Sequence, residues 1–280
     1  KEQMESELLG ITEYPGLGVN GVFQPGVEVG AADLVLNVNE ERRLEARLRH
    51  DNHGLAETGQ KRYQLDVDVN NVTGAADRLS GTGQVTAAPR DLYYWRIEYM
   101  RPLWFDPSYR LNVNYDVDKF DVRGALRDEQ IFTATRNLHA SIEKQILRGR
   151  QRNLSARLDL SRKRSQTKAR GRPVSIDNLA PLMFEVNYDS VDTRFSGLNF
   201  AQAQISHGFN DLLGAMGGQG TVSEASVSPS RVDDNRRFAT GEFDKLFLTY
   251  QRLQALSILN EKLNHHSLLF RFEGQYSSDL

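Results

Sequence analysis

The sequence predicts an all-β protein, specifically an antiparallel β-barrel that crosses a membrane with strands, and three observations carry that prediction. Apolar and polar residues alternate with period two through most of the chain. No run reaches the roughly 18 to 20 apolar residues that a membrane helix needs. Connections between the alternating runs are short on one rim and long on the other, which describes an up-and-down barrel better than a Greek-key sandwich. Helix is expected only over Lys1 to Leu9, which ends at Gly10, and briefly over Phe209 to Met216.

Taken in order, Leu44 to Arg49 alternates weakly, and then Tyr63, Leu65, Val67 and Val69 oppose Gln64, Asp66 and Asp68. Leu79 to Ala87 is again weak. Tyr93, Trp95, Ile97 and Tyr99 oppose Tyr94, Arg96 and Glu98; Leu111, Val113, Tyr115 and Val117 oppose Asn112, Asn114, Asp116 and Asp118. Leu138, Ala140, Ile142 and Ile146 face away from His139, Ser141, Glu143 and Gln145, as Leu154, Ala156, Leu158 and Leu160 do from Ser155, Arg157, Asp159 and Ser161. Leu182, Phe184, Val186 and Tyr188 oppose Glu185, Asn187 and Asp189, Leu198 to Ile205 is a weaker candidate, and Leu246 to Tyr250 and Leu268 to Phe272 complete the series. Short turns are expected at Asn70–Asp77, Arg101–Ser108, Arg148–Asn153, Val191–Gly197 and Ser257–Leu263. Longer loops are expected at Asp121–Gln130, Ala169–Asn178 and Asn210–Glu242, and the Gly- and Ser-rich stretch Met216–Thr240 reads as a mobile loop.

Alternation alone does not say which face meets oil, because a soluble sandwich alternates too. Three features favour lipid outside and water inside. The polar faces carry long side chains of both signs, Arg96 with Glu98, Arg157 with Asp159 and Arg271 with Glu273, as facing walls of a channel would. Aromatics cluster at strand ends, where Tyr93, Trp95 and Tyr99 lead into Trp104 and Phe105. The runs have the length of a tilted strand crossing hydrocarbon. Arg96, Glu98, Asp116, Arg157, Asp159, Arg271 and Glu273 are therefore the candidate lumen-wall residues that would contact a substrate.

Composition removes several other classes. Lys and Arg total 35 against 37 for Asp and Glu, a net charge of -2, which gives no global attraction to nucleic acid. There is no cysteine, hence no disulfide, thiolate metal site or cysteine nucleophile. Gly16-Leu17-Gly18-Val19-Asn20-Gly21 matches a dinucleotide pattern but leads into a strand rather than a helix, and Gly217-Gly218-Gln219-Gly220 lacks the Lys-Ser/Thr of a phosphate loop. His50 and His53 beside Asp51 have helical spacing on a strand-to-loop turn, so surface histidine is the reading and no metal is expected. No nucleophile elbow or metalloprotease pair occurs, and the carboxylates alternate with neutral or basic groups as a solvated wall would; no enzyme activity and no cofactor are expected. The basic run Arg162-Lys163-Arg164, continuing to Lys168, Arg170 and Arg172, runs from a strand end into a long loop without interleaved aromatics, which argues against a nucleic-acid patch.

Several motifs occur in an order that resembles one family. Tyr14-Pro15-Gly16-Leu17, Phe23-Gln24-Pro25-Gly26 and Gly30 to Val38 resemble the end of the second POTRA domain of two-partner secretion transporters, the haemolysin-activator and filamentous-haemagglutinin transporter family. His50-Asp51-Asn52-His53-Gly54 with Thr58-Gly59 is similar to that family's first barrel strand and loop, and Gly74-Ala75-Ala76-Asp77, Tyr99 to Leu103 and Gly274-Gln275-Tyr276 follow in its order. The resemblance implies a fragment: residues 1–41 as the C-terminal part of a periplasmic POTRA domain, and residues 42–280 as about eleven of sixteen barrel strands in the outer membrane of a Gram-negative bacterium. It implies a monomer that exports one large unfolded exoprotein, recognised through its N-terminal secretion domain, among outer-membrane lipid and lipopolysaccharide. Leu17, Val19, Val22 and Phe23 are then candidates for capturing that substrate by strand pairing. Two other readings stay open, an insertase of other barrels from the same superfamily and a soluble β-rich adhesin or carbohydrate binder.

Overall fold

The computed structural model describes residues 9–12, 14–27, 31–87, 92–122, 128–217, 227, 229–232, 238–258 and 260–278. Two sheets contain the strands. A hairpin of β1 (Leu17–Pro25) and β2 (Ala32–Glu40) stands by itself. The larger sheet has 12 strands: β3 (Leu44–Asp51), β4 (Lys61–Asn70), β5 (Arg78–Ala87), β6 (Leu92–Pro102), β7 (Tyr109–Asp121), β8 (Phe132–Leu147), β9 (Arg152–Ala169), β10 (Arg172–Leu179), β11 (Pro181–Asp192), β12 (Gly197–Gly208), β13 (Phe243–Ala255) and β14 (Ser267–Ser277). Every pairing in it is antiparallel and each strand lies beside its neighbour in sequence, except that β9 carries both β10 and β11 on one side. β10 and β11 are one strand interrupted at Ala180, where Pro181 has no N–H to continue the ladder. The edges β3 and β14 are not paired to each other.

The sheet buries its polar face. Among the described residues the buried apolar side chains other than proline are only Val117, Ala180, Ala215 and Phe238, whereas Asn70, Asp77, Thr86, Ser141, Asp159, Ser161, Ser175, Glu185, Ser206 and Thr249 are buried polar ones. The apolar rows look outward: Ile97 is 51% exposed, Phe184 48% and Ile205 58%. A soluble sandwich has the opposite polarity, since water would leave such rows without the burial that drives folding. Trp95 and Val113 are half-buried and Phe270 is exposed on the outward side, while Asp116 and Arg157 lie half-buried on the inner face. The accessible surface, 18703 Å², is about half again the ~12,000 Å² of a compact globular protein of this mass.

The weakly alternating segments at Leu44, Leu79 and Leu198 are strands β3, β5 and β12. The loop expected over Ala169–Asn178 is not one: β9 runs on to Ala169, turns through Arg170 (φ 51) and Gly171 (φ 76), and returns as β10. Two consecutive positive φ values are the backbone of a tight two-residue hairpin. Arg162 to Ala169 holds almost no apolar residue, and in β10 only Val174 and Ile176 alternate with Ser175 and Asp177, too short a period to be read as a strand. The helix expected over Phe209–Met216 shrinks to one turn of 3-10 helix, Leu212–Gly214, with Asp211 and Leu213 at positive φ. Of the helix expected at the start, only a turn at residues 9–11 lies within the described residues; most of Met216–Thr240 lies outside them.

Candidate lumenal site

The inner face curls around a cavity of about 630 Å³, and side chains of β6 at one end of the path β6-β7-β8-β9-β11-β12-β13 and of β13 at the other line it together. Register places its rows. Arg96, Asp116, Asn137 and Lys163 stand side by side on β6 to β9; Glu98, Asn114, His139 and Ser161 form the next row. Below them run Met100, Asn112, Ser141, Asp159, Met183, Ser206 and Lys245, and then Arg110, Glu143, Arg157, Glu185 and Gln204. Because every inward position is two residues from the next, each strand delivers one inward side chain per row, polar except at Met100 and Met183.

Charges pair along the wall. Arg157 donates from Nη2 and Nε to one carboxylate oxygen of Glu143, at 2.6 and 3.1 Å, and its Nη1 lies 3.9 Å from Glu185. Glu185 also accepts from Asn187 at 2.8 Å and Gln202 at 2.9 Å. Arg96 pairs with Glu98 two residues along β6, and the other oxygen of Glu98 accepts from Asn112 at 2.7 Å. Asp116 accepts from Asn137 at 2.8 Å, and Asp159 lies 3.3 Å from His139 Nδ1. The pairs expected to face one another across a channel are therefore lateral, and Arg157 does not pair with Asp159. Neighbouring strands bring Cβ atoms to about 5 Å, well within reach of an arginine, whereas the opposite wall is separated by the lumen.

Of the seven candidate residues, Arg96, Glu98, Asp116, Arg157 and Asp159 line this cavity. Arg271 and Glu273 share the inward side of β14, in register with Gln251 and Thr249, but pair with each other away from it. Sequence reasoning passed over Glu143, Glu185 and His139, which hold the chosen residues in place, since only the register of three strands shows that they meet. Leu17, Val19, Val22 and Phe23 lie on β1, paired with β2 through Glu40, Val38, Val35 and Leu34. His50 stacks on Tyr63, and Asp51 accepts from Arg62 at 2.8 Å and from the His53 N–H at 3.0 Å.

A second cluster joins the hairpin to the rim of the large sheet. Asn70 is buried; its N–H donates to Arg43 O at 2.7 Å, its Nδ2 to Arg42 O at 3.1 Å, and its Oδ1 accepts from Arg78 at 2.9 Å. Gly16, at φ +75, packs so closely that a Cβ there would lie 2.8 Å from Asn70 Cβ. Its carbonyl accepts the Glu41 N–H at 2.9 Å. In the adjoining turn Asp77 is fully buried and accepts from the Thr73 N–H and the Tyr99 hydroxyl, each at 2.9 Å. Burial pushes the Asp77 carboxyl up, but these hydrogen bonds outweigh it and hold the group below the usual carboxylate range.

On the outward side the lower rim carries a group suited to lipid headgroups. Lys144 donates to Tyr109 at 2.8 Å and sits 4.3 Å over its ring, with Phe105 and the 88%-exposed Trp104 beside them.

The comparisons with known proteins agree with this geometry. The CdiB structure from Escherichia coli superposes with a TM-score of 0.74 at 13% identity, covering 97% of this chain and 47% of that one. CdiB from Acinetobacter baumannii superposes at 0.57 with 12% identity, over 94% and 45%. Among curated proteins, the heme/hemopexin transporter protein HuxB of Haemophilus influenzae strain 86-028NP is 33% identical over 79 residues, which is 28% of this chain and 14% of that protein. HuxB of strain KW20 is 30% identical over the same length. The chain thus spans about half of its structural relatives, and the matched segment is a small part of its curated ones. Residues 30–280 match the model of a family of Gram-negative outer-membrane β-barrels, and on that match the chain belongs to the haemolysin secretion/activation protein family ShlB/FhaC/HecB.

Proposed function

We propose that this chain forms part of an outer-membrane pore that exports a large unfolded exoprotein by two-partner secretion. The observation that carries the reading is the inverted burial: charged rows enclose a wet cavity while apolar rows face outward. Residues 42–280 would supply the barrel wall and residues 1–41 the end of a periplasmic POTRA domain, the division following the two separate sheets. A lumen of laterally neutralised charges offers a passing chain many weak, exchangeable contacts and no single strong one. Arg96, Glu98, Asp116, Arg157 and Asp159 would make those contacts, Arg271 and Glu273 extending them along β14. The edge of β1, with Leu17, Val19, Val22 and Phe23, would pair with an incoming segment. Outward movement is driven by folding of the substrate at the cell surface, which prevents its return. A soluble adhesin is disfavoured by the outward apolar rows, and family membership favours export over barrel insertion. Deleting the full gene and assaying the medium for a large exoprotein encoded beside it tests the reading: loss of the exoprotein supports it, and unchanged secretion removes it.

A further inference from the structure

The outward face changes character abruptly on three adjacent strands. Leading away from the rim that carries the β1–β2 hairpin, β7 presents Leu111, Val113, Tyr115 and Val117 and then Lys119. β8 presents Ile142, Ala140 and Leu138 and then Arg136, and β9 presents Leu154, Ala156, Leu158 and Leu160 and then Arg162, Arg164 and Lys168. The opposite, inward face of the same stretch is identified by Thr135 against Ser165 at 3.3 Å and Thr133 against Thr167 at 3.4 Å. Arg136 and Arg164 are direct cross-strand partners, both exposed. None of these five cations is ion-paired among the described residues; the acid in their rows is Asp121, two strands from Lys168 through Phe132.

Two arginines directly opposite on a sheet repel, a cost that lipid-facing leucines would avoid. An anion between them removes it. Their depth says which anion. From Tyr109, beside Lys144 at one headgroup level, to Lys119 is ten residues along β7. That is about 33 Å of strand and, at a tilt near 40°, about 25 Å of height, the thickness of the apolar band of an outer-membrane barrel. Lys119 therefore stands at the opposite headgroup level, on the side away from the β1–β2 hairpin; Lys168 lies one outward position beyond its row, Arg136 and Arg164 one position nearer the apolar band, and Arg162 two, in register with Leu138.

We propose that Arg136 and Arg164, flanked by Lys119, Arg162 and Lys168, form a binding site for the phosphates of an outer-leaflet lipopolysaccharide, whose acyl chains lie against Leu138, Leu158 and Leu160. The site rests on the barrel reading but not on the identity of any exported protein. Arginine suits it because a guanidinium presents a planar fork to phosphate oxygens.

The test uses the full-length protein, purified in detergent, with bis-phosphorylated lipid A as probe, the same lipid dephosphorylated, and phosphatidylglycerol, bound lipid being counted by native mass spectrometry. Wild type should hold the bis-phosphorylated lipid at least about tenfold more tightly than the other two. R136Q/R164Q should weaken it by roughly 30-fold, each cation near an anionic surface contributing a factor of about five. Lys262→Gln, on the opposite rim, should leave binding unchanged. Equal affinity for the dephosphorylated lipid or for phosphatidylglycerol, or undiminished binding by R136Q/R164Q, overturns the site. Should the double variant not assemble, the wild-type comparison of the two lipid A forms decides. Exoprotein release measured in the same strains separates the two proposals: lipid selectivity can fail while secretion persists, and the reverse.

Discussion

Asp77 shows how one buried carboxylate organises a rim turn. Its oxygens accept from Thr73 and Tyr99 where water has no access, so removing them strands two donors. Asp77→Ala should cost about 3 kcal/mol, two hydrogen bonds to a charged group at roughly 1.5 each, read as a lower temperature of heat-modified mobility on gels. The sign with pH follows from the depressed pKa: its stabilisation is complete above the unfolded carboxyl value near 3.9 and is lost as pH falls through the lower folded value. Wild type should therefore lose stability on acidification to that range, and Asp77→Ala should lose less. Arg157 makes a different prediction. Replacing it by Met leaves Glu143 and Glu185 without their cation, so the full-length pore should become more cation-selective in planar bilayers. The rows that contain these residues were legible from alternation, but their partners were not, because Glu143 and Glu185 meet Arg157 only through the register of β8, β9 and β11.

At the scale of elements, strands with a full apolar row were readable, β3, β5 and β12 only weakly, and the outer part of β9 with β10 was not. Leu111 to Val117 announces β7 because lipid requires one continuous apolar row, whereas Arg172–Leu179 answers to no such demand and is held by the geometry of its turn. Gly171→Val should cost that hairpin about 1 kcal/mol or more, since φ 76 suits glycine and the added Cβ meets nothing, with the rest of the barrel unaffected. Amide hydrogen exchange confined to β9 and β10 would register it. The seam between hairpin and large sheet behaves otherwise. Gly16→Ala combines a φ of +75 with a 2.8 Å contact to Asn70 Cβ, so it should loosen β1–β2 from the rim and speed proteolysis near Glu41 without melting β4 to β13.

For the molecule as a whole, the claim that matters is which side of the sheet meets hydrocarbon. Substitutions should divide by face: Leu158→Arg on the outward side should cost ~2–4 kcal/mol, while Asn114→Arg in the cavity should cost little. The all-β class, the barrel and the membrane reading were available from period and loop lengths; which strands share the cavity, β6 through β13, was not, since that depends on the twist accumulated over many strands. The most direct measurement uses the lack of native cysteine. Single cysteines placed at Leu158, Asp159, Leu160 and Ser161 of the full-length protein in liposomes can carry nitroxide labels and be read against a lipid-soluble and a water-soluble relaxing agent. The account predicts alternation, with 158 and 160 relaxed by oxygen in the hydrocarbon and 159 and 161 by a nickel chelate in the lumen; the reverse alternation, or equal access at all four, would contradict it.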